Sequence, residues 1–268
     1  MSTFIAGPLR SSVPATTPSE SAESALFRFL HSLPVIGRVF ARLSNWQYHW
    51  RNHPTQHLRR ALGKCRDLFV VEIGSNDGKS GDPLYPLIRS HRSLQVLYIE
   101  PVPFLFERLK RNFQGDPRFR FEQVAIAEEK RTMPFYHVAE STRREMPALP
   151  DFVDQLGSFF RANLERHLPG TLDRFIVEVP VEAMPLSMVL ERQRVERIDA
   201  LLIDTEGYDW RVLRQLDLGK YQPRVIFIEH KHLSVEDKAA VRTFLGDYEI
   251  MDLGHDYLCR RRAPRPAV

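Results

Sequence analysis

The residues Leu68-Phe69-Val70-Val71-Glu72-Ile73 run into Gly74 with a single polar interruption. A segment this short and this apolar, closed by a glycine, reads as a strand buried on both faces, the kind that sits inside a parallel sheet. Such a strand needs neighbours on either side and covering helices above and below, so it commits the chain to an α/β plan that the remaining sequence must supply.

The supply is there. Residues 94–99 (LQVLYI) form a second apolar run ending at Glu100 and Pro101, and residues 104–113 then carry helical spacing. Residues 119–126 read as a third strand, and residues 198–203 and 225–228 as two more, separated by a helical stretch over 210–216. Residues 248–253 and 257–261 flank a Gly254-His255-Asp256 turn and read as a β-hairpin. The expected fold is a doubly wound, mostly parallel α/β sheet over residues 67–262, closed by an antiparallel C-terminal hairpin strand. Residues 140–172 are charged, contain prolines and are helical in places, which reads as a helical insertion able to act as a lid. No repeat at a period of about 20 to 50 residues points to a solenoid or propeller.

What precedes this core differs in composition. Residues 1–23 are rich in Ser, Thr, Pro and Ala and read as a loose tail. Residues 24–66 hold no Asp or Glu but carry Arg28, Arg38, Arg42, Arg51, Arg59, Arg60, Lys64 and Arg66, with apolar residues at near-helical spacing. This basic amphipathic segment would favour an anionic surface, such as the face of a membrane, and residues 263–268 form a short closing tail. Trp46, Tyr48 and Trp50 are interleaved with basic residues there, but no nucleic-acid motif accompanies them, so a nucleic-acid partner is not expected.

With 43% hydrophobic and 27% charged residues the chain has the make-up of a globular protein with one core. Cys65 and Cys259 lack metal-ligand spacing, which suits a reducing, cytoplasmic setting. No stretch of about 18 apolar residues exists, and the first residues lack a basic stretch followed by an apolar run, so neither membrane spanning nor secretion is expected.

The chemistry concentrates at strand ends. Glu72-Ile73-Gly74-Ser75-Asn76-Asp77-Gly78 has the form E-x-G-x-x-x-G, with glycines where the backbone must turn tightly and come close to a ligand. Asn76 stands where a dinucleotide fingerprint has its second glycine, and no phosphate-cradling lysine loop is present. Glu100, 22 positions beyond Gly78 at the end of the next strand, is placed to accept both hydroxyl hydrogens of a ribose. A ligand with a sulfonium, an ammonium and a ribose diol, as in S-adenosylmethionine, suits this acidic turn better than one with a pyrophosphate.

A second cluster, Asp204-Thr205-Glu206-Gly207-Tyr208-Asp209, follows another buried strand, where ligands of open α/β sheets bind. Asp204 and Glu206 are candidates to face the reaction, and Asp209 equally reads as the first acid of the next helix. Three such acids could hold a divalent cation, but no metal is assigned. The strand end Glu229-His230-Lys231-His232 offers imidazoles, of which His230 is the candidate base. Arg143, Arg144, Glu145, Arg161 and Arg166 of the insertion read as a solvated face more readily than as an acceptor site.

Taken together, VEIGSNDG, the YIEP segment, RIDALLIDTEGYDWRVL and VIFIEHKH resemble, in order and spacing, the FkbM family of methyltransferases, and HDYLCRR resembles its closing strand. The resemblance spans about residues 69–261. It implies a class I methyltransferase fold, S-adenosylmethionine as cofactor, and O-methylation of a hydroxyl on a small molecule or sugar-containing metabolite. Carried over by position, Gly74, Ser75, Asn76 and Gly78 form the donor turn, Glu100 holds the ribose, and Asp204 faces the reacting centre. Glu72, Asp77, Pro101 and Ala125 complete the expected cofactor-binding set. Where many members have Asp and Ala in the first motif, this chain has Glu72 and Ser75.

Two other readings use the same residues. An NAD-dependent oxidoreductase fits the fold class and Glu100 but lacks the glycine pattern. A non-catalytic module that binds a membrane surface or a partner would act through residues 27–66.

Overall fold

Each apolar run becomes a strand, and the helices between the runs decide how the strands pair. A computed structural model describes residues 54–262 apart from Lys64 and Asp151. The expected loose tail, most of the basic segment and the closing tail therefore lie outside the described residues. In chain order the elements are α1 (Pro54–Leu62), β1 (Phe69–Ile73), α2 (Tyr85–Ser90), β2 (Gln95–Ile99), α3 (Pro103–Asn112), β3 (Phe119–Glu122), β4 (Ala125–Ile126) and β5 (Arg131–Val138). They continue with α4 (Thr142–Glu145), β6 (Gly157–Ser158), α5 (Arg161–His167), β7 (Ile176–Met184), α6 (Leu186–Arg192), β8 (Ala200–Ile203) and α7 (Asp209–Leu213). The last are β9 (Val225–Glu229), α8 (Val235–Phe244), β10 (Tyr248–Asp252) and β11 (Asp256–Arg261).

Seven strands form one sheet in the order β10-β11-β9-β8-β1-β2-β3. Strand β1 runs parallel to β2 on one side and to β8 on the other, and β11 lies antiparallel between β9 and β10. This is the doubly wound sheet with an antiparallel closing strand that the sequence predicts. Chain order reverses between β1 and β8, which opens a crevice beyond their carboxyl ends, where ligands of such sheets bind.

Alternate residues of each strand enter opposite layers. Val71, Ile73, Leu97 and Ile99 pack with Val189 of α6, Val212 of α7 and Val241 of α8. Val70, Val96 and Tyr98 pack with Leu58 of α1, Leu87 of α2 and Leu109 of α3. Each such side chain contributes about 1.5–3 kcal/mol by leaving water, which explains why these strands carry almost no polar residues. Helix α1, read from sequence as part of the basic segment, thus seals one edge of this core through Leu58 and Leu62.

A second sheet, in the order β4-β7-β5-β6, was not expected. The run over 119–126 is not one strand. Phe119–Glu122 pair with β2, and the chain then leaves so that Ala125 and Ile126 pair with Ala183 and Met184 of β7. Strands β5 and β7 form a long antiparallel ladder from Arg131 opposite Ala183 to Val138 opposite Ile176. The segment read as a helical insertion hangs from the end of this ladder and carries α4, α5 and the two-residue strand β6. Among the described residues, no helix is long and apolar enough to cross a membrane.

Candidate active site

The loop after β1 is shaped by contacts that only glycine permits. Gly74 has φ +80°, and a Cβ there would fall 1.7 Å from the Asp204 carbonyl oxygen. The loops after β1 and β8 therefore touch, and Asp204 N–H donates to the Ile73 carbonyl at 3.0 Å. Gly78 serves a different purpose. A Cβ on it would meet Leu109 and Phe113 at 2.6 and 2.7 Å, so it lets α3 and its flank close onto the loop.

Between them Asn76 adopts φ +50° and points its N–H at Glu100, 2.8 Å from Oε2. Val102 N–H donates to the other carboxylate oxygen at 2.8 Å. Glu100 is held by two backbone donors and buried, yet each of its oxygens keeps a second lone pair for a ligand hydroxyl. Burial outweighs the two hydrogen bonds and pushes its carboxyl up to about 7.

The loop after β8 is clamped from within. Asp209 is fully buried, and its two oxygens accept the Thr205 and Gly207 N–H groups at 2.9 Å each. Burial raises its carboxyl to about 6 despite these bonds. The clamp settles its role as the acid that shapes the loop at the start of α7. Glu206, at φ +50°, offers its carbonyl to Ser158 Oγ at 2.8 Å and Asn163 Nδ2 at 2.6 Å, which ties the loop to the insertion. Its side chain meets two imidazoles, with His167 Nε2 at 2.9 Å and His232 Nε2 at 3.0 Å from Oε2. Burial opposes ionisation there, but the two imidazoles hold the Glu206 carboxyl well below the usual range.

These parts surround a cavity of about 370 Å³. Gly74, Asn76, Glu100 and Pro101 form one end, and Val124, Ala125, Ile126 and Phe135 form an apolar side. Phe152, Gln155, Leu156 and Phe159 of the insertion close the far wall, and Asp204, Glu206, Glu229 and Lys231 line the polar end. A second cavity of about 230 Å³ shares Gly74, Asn76 and Asp204 with the first and is lined also by Glu72, Ser75 and Asp82.

Enclosure and the like charges of Glu206, Asp209 and Asp256 raise the Asp204 carboxyl well above its ordinary value. The surface that Asp204 exposes is turned to these cavities. In the second cavity, burial and the neighbouring Asp82 carboxyl raise Glu72, and burial pushes Asp82 up to about 7. Glu72 Oε2 and Asp82 Oδ2 are buried there without a hydrogen-bond partner.

Of the residues singled out from sequence, Gly74, Asn76, Glu100, Pro101, Ala125, Asp204 and Glu206 meet around the larger cavity. Glu72 and Ser75 line the smaller one. Asp77 does not line either, since its oxygens accept the Lys79 and Ser80 N–H groups and the Ser80 hydroxyl. Gly78 is likewise a packing glycine.

His230, the candidate base read from sequence, lines neither cavity. Glu229, the last residue of β9, and Lys231 in the turn beyond it line the larger cavity, whereas His230 does not. Its ring stacks on Tyr257 at 3.8 Å, and its Nε2 meets Asp252 Oδ1 at 3.2 Å. The charged residues of the insertion also lie outside the cavity: Arg143 pairs with Asp154, Arg161 with Glu165, and Arg166 bonds Asn163.

The sequence reading missed His167, which arrives on α5 with no local motif. It also missed Glu229, which ends β9, and Lys231 in the turn beyond it. Asp209 has both oxygens occupied, so the acid that joins Asp204 and Glu206 is Glu229.

The family described as "Methyltransferase FkbM domain" matches residues 72–257. Among solved structures, methyltransferase FkbM from Methylobacillus flagellatus KT is 15% identical with a TM-score of 0.46. That likeness covers 75% of this chain but 46% of the other, so this chain spans just under half the length of that relative. A methyltransferase from Geobacter sulfurreducens is 14% identical with a TM-score of 0.38, covering 90% of this chain and 96% of that one. Aeropyrum pernix fibrillarin, in complex with natively bound S-adenosyl-L-methionine, is 14% identical with a TM-score of 0.34, covering 73% and 66%. No curated protein matches the chain.

Proposed function

Because the chain belongs to the FkbM methyltransferase family, we propose that it uses S-adenosylmethionine to methylate a hydroxyl of a small molecule or sugar-containing metabolite. The observation that carries this reading is Glu100, a buried carboxylate fixed by two backbone N–H groups with its free lone pairs at the rim of an open cavity.

The residues fit the donor. Glu100 would accept the ribose hydroxyls, and Val124, Ala125, Ile126 and Phe135 offer an apolar slot for an adenine ring. The missing Cβ of Gly74 keeps backbone and ligand close, and the unpartnered oxygens of Glu72 and Asp82 in the adjoining cavity suit an ammonium group. When bound, S-adenosylmethionine supplies a methyl group on a sulfonium that departs as a neutral thioether.

The protein's own work is then positioning and proton removal. Asp204 opens onto both cavities, and its raised carboxyl suits taking a hydroxyl proton near neutral pH. Phe152, Leu156 and Phe159 exclude water from the acceptor side.

Calorimetry with S-adenosylhomocysteine and with NAD tests the reading. The expected result is heat from S-adenosylhomocysteine, weakened on the order of tenfold or more by Glu100→Ala, since one carboxylate hydrogen-bond pair is worth about 1.5–3 kcal/mol. Heat from NAD with none from S-adenosylhomocysteine would reverse it in favour of an oxidoreductase.

A further inference from the structure

Beside the polar end of the larger cavity, lined there by His167 and Glu206, lies a cluster that donor binding does not use. His167 from α5, Glu206 from the loop after β8 and His232 after β9 converge from three separate elements, and their ligating atoms all lie within 4.8 Å of one another. The imidazoles are 7% exposed and the Glu206 side chain 14%. Three elements far apart in sequence have thus brought two imidazoles and a carboxylate to one point, largely out of water.

Hydrogen bonding accounts for only half of this arrangement. His167 Nε2 bonds Glu206 Oε2 at 2.9 Å. His232 Nε2 sits 3.0 Å from the same oxygen but makes no hydrogen bond, although it is buried. The in-plane direction of this nitrogen therefore misses Oε2, which leaves an unprotonated Nε2 with a lone pair free for a cation that the same oxygen can share. Glu229, whose Oε2 is also buried without a partner, and Asp204 complete a second triad that shares Glu206.

From this geometry we propose that His167, Glu206 and His232 bind a divalent first-row transition-metal ion. Two imidazoles and one carboxylate are the donor set of such ions rather than of Mg²⁺, which prefers oxygen. An ion about 2.1 Å from each donor places neighbouring octahedral donors about 3.0 Å apart, which is the spacing His167 and His232 keep from Glu206. Asp204 and Glu229, which form the adjoining triad with Glu206, line the cavity beside it, so an ion held here would be placed to take oxygen ligands such as an acceptor's hydroxyl. The role in acceptor binding rests on the methyltransferase reading, while metal binding stands without it.

The test is a titration of the chelator-treated full chain with Co²⁺, followed by visible absorption and by calorimetry. One equivalent is expected to bind with a d–d band, Mg²⁺ in excess is expected not to displace it, and His167→Ala or His232→Ala should each weaken binding by at least about tenfold. In the unmutated protein, Co²⁺ should shift the imidazole proton resonances of His167 and His232, which keeps the test decisive where a variant fails to fold. Absence of both band and heat, or resonances of these two rings that stay in place, overturns the proposal. So does binding undiminished in well-folded variants of both histidines. Co²⁺ uptake by a chain that ignores S-adenosylhomocysteine would remove the donor reading and leave the metal site standing.

Discussion

Replacing Gly74 by alanine measures how tightly the loops after β1 and β8 are joined. The new Cβ would stand 1.7 Å from the Asp204 carbonyl oxygen, where ordinary C···O contact needs about 3.3 Å. The Asp204 backbone must therefore retreat by roughly 1.6 Å, more than a close-packed interior yields without repacking. That retreat breaks the 3.0 Å bond from Asp204 N–H to Ile73, worth about 1 kcal/mol, and adds about 1–3 kcal/mol of overpacking strain.

Alanine also pays for a left-handed φ, but Gly115 shares the same φ of +80° and has nothing within 4 Å of its would-be Cβ. Gly115→Ala is thus a matched control that isolates the contact. Gly74→Ala should be about 2–4 kcal/mol less stable than Gly115→Ala in denaturant unfolding, with a melting temperature lower by roughly 5–15 °C. It should also lose S-adenosylhomocysteine binding. Equal stability of the two variants would refute the claim that the two loops touch at Gly74.

Four further outcomes follow from the same geometry. Glu100 has its carboxyl raised to about 7, so S-adenosylhomocysteine affinity measured by calorimetry should fall as pH drops through 7 and the acceptor is protonated. Stability moves the other way. A carboxyl raised from 4.5 to about 7 by burial contributes stability present below the unfolded value and lost as pH rises through 7, and Glu100→Gln should flatten that slope in thermal melts. Asp209→Ala leaves the Thr205 and Gly207 N–H groups without an acceptor and should cost about 1–3 kcal/mol each where they remain buried, read by chemical denaturation. His230→Gln, outside the cavity, should leave S-adenosylhomocysteine affinity within about twofold while lowering the melting temperature.

The main sheet was legible because β1, β2, β8 and β9 are buried on both faces over most of their length and so read as nearly continuous apolar runs. Strands β5 and β7 were not. Their exposed and buried positions mix, and each carries a proline, Pro134 facing Pro180, so their strand character depends on pairing with each other across a long stretch of sequence. The splitting of residues 119–126 followed from that same absent partner. At the site, strand ends announced Gly74, Glu100 and Asp204, whereas His167 is placed by the docking of α5 through Asn163 onto Glu206, a contact no local pattern encodes. His230 was chosen over its neighbours on residue type alone, and the turn that follows β9 brings Glu229 and Lys231 to the cavity instead.

The β5–β7 ladder brings Val138 and Ile176 side by side, and the chain between them supplies the outer wall of the cavity through Phe152, Leu156 and Phe159. A loop whose two stems are already neighbours can be lengthened, shortened or exchanged at little entropic cost, because each doubling of its length adds only about 0.6 kcal/mol. Under the proposed function, a cassette at residues 139–175 could then be swapped to change the acceptor while Gly74 and Glu100 on the parallel strands stay as they are.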